Sequence, residues 1–145
     1  MARTVTSKLR ADVSRPPIAP DQLAAVFFGG TLGALSRAML SDVFPPGRGW
    51  PWATFTANML GAAALAWFTA RLVSGPPNRR LLQPFLCTGL CGALTTFSAL
   101  QVEVIELARS GRMVLGASYL MVSIALGLLV VAIVSRAARQ RLSQA

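Results

Sequence analysis

The sequence predicts an all-α membrane protein with four transmembrane helices. Three observations carry this expectation. Hydrophobic residues fill 54% of the 145 positions and charged residues only 13%, whereas soluble domains carry about 25% charged residues. Mean hydropathy is +0.56. Four uncharged apolar stretches, each near the ~20 residues that a helix needs to cross the hydrocarbon core, alternate with short polar segments.

Residues 1–20 are basic and proline-bearing ("SRPPIAP") and read as a flexible tail without the apolar core of a signal peptide. The membrane domain is expected over 21–135, with a basic tail over 136–145. Its first stretch runs from Gln22 to Ser36 and on past Arg37 to about Leu40. The second runs from Trp52 to Ala70, with Arg71 marking its end. The third runs from Leu81 to Val102 and contains Pro84 and a glycine cluster. The fourth runs from Met113 to Val134. The connections "SDVFPPGRGWP", "SGPPNRR" and "RSGR" hold turn formers and charges suited to the water interface. Trp50 and Trp52 are expected at headgroup level. Cys87 and Cys91 lie one turn apart in an apolar run, a poor start for a metal site that wants four ligands.

The net charge of +9 does not indicate a nucleic-acid partner, because the chain lacks a soluble domain's polar surface. Ten of the 14 Lys and Arg residues fall on one side of the four stretches, in the two tails and the second connection. Only Arg37, Arg48, Arg109 and Arg112 fall on the other. Positive residues stay inside, so both termini are expected in the cytoplasm and the protein in the inner membrane.

Enzyme constellations are missing. There is no His, no deep carboxylate pair, and no phosphate-binding or dinucleotide fingerprint. Glu103 and Glu106 read as solvated residues at a helix end. The deep polar groups are neutral: Asn58, several Thr and Ser, and Tyr119. Neutral donors suit a dehydrated anion, since conduction requires weak, multi-site binding. Each hydroxyl also has a plainer use, a bond to its own i−4 carbonyl. Asn58 has one too, as a link between helices. Gly29, Gly30, Gly33 and Ala34 place small residues along the first helix, which lets backbones approach closely. Gly89 and Gly92 precede Thr95 and Thr96, where a helix break would free carbonyls for a cation.

Together, "GGTLGALSR", "WPWATFTANMLG" and "GLCGALTTFS" resemble, in order and spacing, the Fluc (CrcB-type) fluoride channels over about residues 22–135. The resemblance implies an antiparallel dimer with two narrow fluoride pores between its subunits. It implies that Asn58 donates its amide to fluoride and that Phe97 belongs to an aromatic box. A ring edge is the positive part of the quadrupole and can face an anion. Tyr119 and Ser123 match a hydroxyl track, with Ser98 as a further candidate. Gly29, Gly30, Gly33, Arg37 and Thr96 match positions with structural roles. The break in the third helix implies a structural sodium ion at the subunit interface. Backbone carbonyls at Gly92 and Thr95 of both subunits would hold it with four oxygens.

Two departures qualify these expectations. The family usually continues T-T-F-S-T-F, but this chain reads T-T-F-S-A-L. Ala99 lacks a hydroxyl, Leu100 lacks the second box phenylalanine, and Gly127 lacks a hydroxyl often found one turn past Ser123. The charge bias also disfavours one sequence inserting in both directions. The expected second subunit is therefore the same chain or, favoured by that bias, an oppositely oriented homologue. The leading expectation is a passive fluoride channel in the lipid bilayer. A coupled small multidrug-type exporter and a non-conducting partner subunit are the alternatives.

Overall fold

The computed structural model describes residues 19–45, 47, 49–72 and 79–142. The tail expected over 1–20 falls outside these residues for 1–18, as do Pro46, Arg48 and most of the second connection. Every regular element among the described residues is helical.

Helix α1 spans Pro20–Val43. Pro20 stands at its start, where a missing N–H costs nothing, and Asp21 in the first turn complements the helix dipole. Arg80 reaches back to Asp21 at 2.8 Å. The helix stops at Phe44, just ahead of Pro45, a residue that disfavours helical backbone before it. Helix α2 spans Trp52–Leu72. It ends with Arg71 stacked over the Trp67 ring at 4.8 Å.

The third span begins as a π-helix, Pro84–Cys91, and continues into the short α3, Gly92–Leu94. Thr95 and Thr96 then adopt extended backbone before α4, Phe97–Arg109. Gly111, at φ 76°, closes α4. Its N–H donates to Ala108 O at 3.1 Å and the Arg112 N–H to Leu107 O at 2.9 Å, the paired bonds of a glycine-terminated helix. Helix α5, Met113–Leu142, has 30 residues and a length of about 45 Å. That exceeds a hydrocarbon core of about 30 Å, so its last turns, with Arg136 and Arg139, extend into the segment expected as a tail.

Three of the four expected spans are long and apolar enough to cross a membrane: Pro20–Val43, Pro84–Arg109 and Met113–Gln140. Helix α2 has the length, with 21 residues, but Thr54, Thr56 and Asn58 make its first half less apolar. Its placement explains this. It contacts α1, the third span and α5, and buries Thr54, Ala57, Gly61 and Ala66. The first half of the third span packs on α1, the second half on α5.

The α1 seam is narrower than expected. A Cβ at Gly29 would strike the Phe85 carbonyl oxygen, and one at Gly33 the Leu90 carbonyl oxygen. Gly89 completes the seam, 2.7 Å from Val26 O by the same measure. Gly30 stands off it, with Gly89 O at 4.0 Å. Trp50 also departs from expectation. It is half-buried and packs edge-on against Tyr119 at 5.2 Å and Phe55 at 5.6 Å. Trp52 is the exposed member of the pair.

Candidate functional site

The extended residues Thr95 and Thr96 are held by Asn58. Its Nδ2 donates to Thr96 O at 3.0 Å, and its Oδ1 accepts from the Thr96 N–H at 2.8 Å. Because a backbone N–H only donates and a carbonyl only accepts, these two bonds fix the amide orientation. One hydrogen on Nδ2 is left over, since the amide carries two. Asn58 therefore links helices, and it also lines an open cavity.

These bonds reroute the helix donors around Thr95 and Thr96. In a continuous helix the Thr96 N–H would donate to Gly92 O, but here it serves Asn58. The Ala99 N–H would donate to Thr95 O, but it serves Thr96 Oγ1 at 3.2 Å. Thr96 thus caps α4. The Gly92 and Thr95 carbonyls lose their helical donors at the two positions named for a cation, which is the chemistry that a hard ion needs. Gly92 lies at the surface of the chain, and a Cβ there would meet only Cys87 O at 4.0 Å.

The cavity beside Asn58 has a volume of about 380 Å³, and Thr95, Thr96, Phe97, Leu100, Ser123 and Gly127 share its wall. Ser123 is 5% exposed, yet its hydroxyl oxygen is buried without a hydrogen-bond partner. Other span hydroxyls behave differently. Those of Thr31, Ser36, Thr69 and Thr95 each donate to the i−4 carbonyl. Phe97 is 63% exposed on the open side. Ser98 is also at the surface, and its hydroxyl pairs with Thr96 Oγ1 at 3.1 Å. Leu100 is 4% exposed and packs into the core with Leu107 and Tyr119. Gly127 leaves a gap, since a Cβ there would lie 3.6 Å from Met59 Cε.

Tyr119 is not part of this cavity wall. It is fully buried, and its hydroxyl donates to Glu103 Oε2 at 2.7 Å. The Thr54 hydroxyl donates to Glu103 Oε1 at 2.6 Å. Glu103 is thus drawn in between α2, α4 and α5, and the reading of it as a solvated helix-end residue is corrected. The sequence held a signal for this. Leu100, Glu103 and Leu107 share one face of α4 by spacing, and both leucines are core. Thr54, read only as a span hydroxyl, was missed as its partner. A second cavity, about 340 Å³, joins Arg37 to Thr54, Thr96, Ala99 and Glu103.

Long apolar helices packed along a seam of glycines define a helical membrane protein. The sequence model of the family described as "CrcB-like protein, Camphor Resistance (CrcB)" matches residues 24–135. The chain belongs to this family. It is 52% identical over 111 residues to "Fluoride-specific ion channel FluC 1" of Mycobacterium bovis, covering 76% of this chain and 84% of the relative. It is 44% identical over 120 residues to the protein of that name in Mycolicibacterium paratuberculosis, covering 82% and 91%. It is 36% identical over 107 residues to "Fluoride-specific ion channel FluC" of Methanopyrus kandleri, covering 74% and 81%. These relatives are channels, not enzymes.

Proposed function

We propose that this chain is a subunit of a fluoride-selective channel that lets fluoride leave the cell passively. The observation that carries the reading is the cavity at Asn58 and Ser123. Its polar donors are neutral, the hydroxyl of Ser123 has no partner among the described residues, and the remaining wall is largely apolar. Such a surface strips water from an anion and returns a few weak hydrogen bonds, which is what rapid passage requires. The relatives' names supply the ion.

Phe97 borders the cavity on its open side, where its ring edge would face an ion bound against a second subunit. The exposure of Phe97, Ser98 and Gly92 in one chain fits coverage by that subunit, antiparallel to the first. The charge bias favours a homologue of opposite orientation in that place, with this chain's termini in the cytoplasm. A sodium ion between the subunits is consistent with the freed carbonyls of Gly92 and Thr95. When bound, it supplies fixed positive charge near the pores. Leu100 occupies the place of a second ring, and its burial with Tyr119 gives that wall packing where the family has an aromatic edge. Glu103, held by two hydroxyls, adds a carboxylate near the bundle and leaves coupled export as the second reading, because proton-driven carriers need an inward carboxylate.

Ser123→Ala tests the role of the cavity. The variant loses a buried hydroxyl with no partner, so melting in detergent is expected to stay within about 0.5 kcal/mol of the parent. Fluoride efflux from liposomes is expected to fall severalfold. Unchanged efflux would remove Ser123 from the pathway.

A further inference from the structure

Another cavity, about 440 Å³, lies at the other end of α2, beside the described residues of the first connection. It reaches Thr54 and Glu103, and its wall includes Trp50, Glu106 and Arg112. Two buried donors belong to residues on that wall, and neither has a partner among the described residues: the Trp50 indole Nε1 and the Arg112 Nη1. Both are held in place. The Trp50 ring packs edge-on against Tyr119 and Phe55 and against the cluster that contains Leu107. Arg112 is tied to Leu107 O through its own N–H at 2.9 Å. Its Nε and Nη2 donate to Ser110 Oγ at 3.2 and 3.0 Å. Nη1 is the one nitrogen of the fork with no bond among the described residues.

We propose that Trp50 and Arg112 form a binding site for a small anion at the mouth of the ion pathway, with fluoride as its occupant. Buried donors without partners are expensive, and neither donor here is paired with the Glu103 or Glu106 carboxylate of the same wall. The nearby acceptor oxygens of Glu103 already receive the Thr54 and Tyr119 hydroxyls. A compact anion suits two unpartnered donors from residues of one cavity wall, one of them charged. The guanidinium offsets one of the two carboxylates, Glu103 and Glu106, on this wall, and the indole adds a hydrogen bond without a second charge. The site therefore gathers fluoride where the aqueous loop meets the polar groups of the bundle, and releases it readily. The choice of fluoride rests on the channel reading above; the donor geometry does not.

The experiment has two readouts. In the first, flux through reconstituted protein is measured against fluoride concentration. Trp50→Phe keeps the ring and removes the N–H, and Arg112→Lys keeps the charge and removes the fork. Each is expected to raise the half-saturating fluoride concentration about tenfold, the equivalent of one hydrogen bond to a charged group, with little change in maximal flux. In the second, Trp50 emission is followed in a Trp52→Phe/Trp67→Phe protein titrated with sodium fluoride against sodium gluconate. A saturable, fluoride-dependent shift is expected. Parental concentration dependence in both variants, or emission identical in the two salts, overturns the site and leaves water as the occupant. If neither the chain alone nor the chain with a homologue of reversed loop charges conducts fluoride, the channel reading fails, and the emission titration still decides the site.

Discussion

Asn58→Ala is expected to reduce fluoride efflux at least about tenfold, on the scale of one lost hydrogen bond to a charged group, and to destabilise the fold as well. Both effects come from one amide. The side chain closes a two-bond ring with the Thr96 backbone, at 3.0 and 2.8 Å, and its remaining N–H is the donor on the cavity wall. Hydrogen bonds between membrane helices average about 0.6 kcal/mol and reach about 1.7. Losing two therefore costs about 1–3 kcal/mol, read as a lower melting temperature in detergent. Asn58→Asp separates the two roles. Its carboxylate still accepts from the Thr96 N–H but repels the Thr96 carbonyl and any anion. Efflux is expected to disappear in this variant even where the protein remains folded. Retained efflux in Asn58→Asp would show that the amide does not contact the ion.

Gly33→Val is expected to be the most damaging change to the fold. A Cβ at Gly33 collides with the Leu90 carbonyl oxygen, and it also lies 3.0 Å from Leu94 N and 3.1 Å from Ala93 Cβ. Two of these atoms are backbone and cannot rotate away. Helix α1 must then separate from the π-helix and α3, the elements it packs against most closely. Overpacking of this kind costs about 1–3 kcal/mol and more where the backbone must move. Helix association in lipid rests on close packing, so the variant is expected to elute as aggregate in detergent. Gly30→Ala is the matched control. Its added Cβ meets Gly89 O at 4.0 Å, an ordinary contact, and parental elution is expected. Aggregation of both variants, or of neither, would contradict the seam drawn through Gly29 and Gly33.

The four helical stretches were legible, but two of their ends were not: the third span runs past Val102 to Arg109, and the fourth past Val134 to Leu142. Pro20, Pro45, Pro84 and Gly111 mark boundaries that backbone geometry enforces. The depth of Asn58 in an apolar stretch was legible too, because a buried amide demands a partner. The identity of that partner was not, since Thr96 lies 38 residues away. The same limit hid the Thr54–Glu103 bond, which joins residues 49 apart. A carboxylate near a helix end looks solvated until the facing helices are known. Periodicity does not separate a π-helix from an α-helix over eight residues, so the widened turn from Pro84 to Cys91 left no mark in the pattern. Helix α2 was read as a span like the other three, and the structure places it among the other helices, where Thr54 and Asn58 find partners.

The central claim is passive fluoride conduction, and efflux from liposomes tests it most directly. Vesicles loaded with potassium fluoride are diluted into fluoride-free buffer, and valinomycin balances the charge with no proton or sodium gradient. The purified chain is tested alone and then with a homologue whose loop charges are reversed. Rapid fluoride release is expected in at least one of these preparations, with chloride retained in the same vesicles. No release from either preparation, or release that appears only when a proton gradient is imposed, would contradict it.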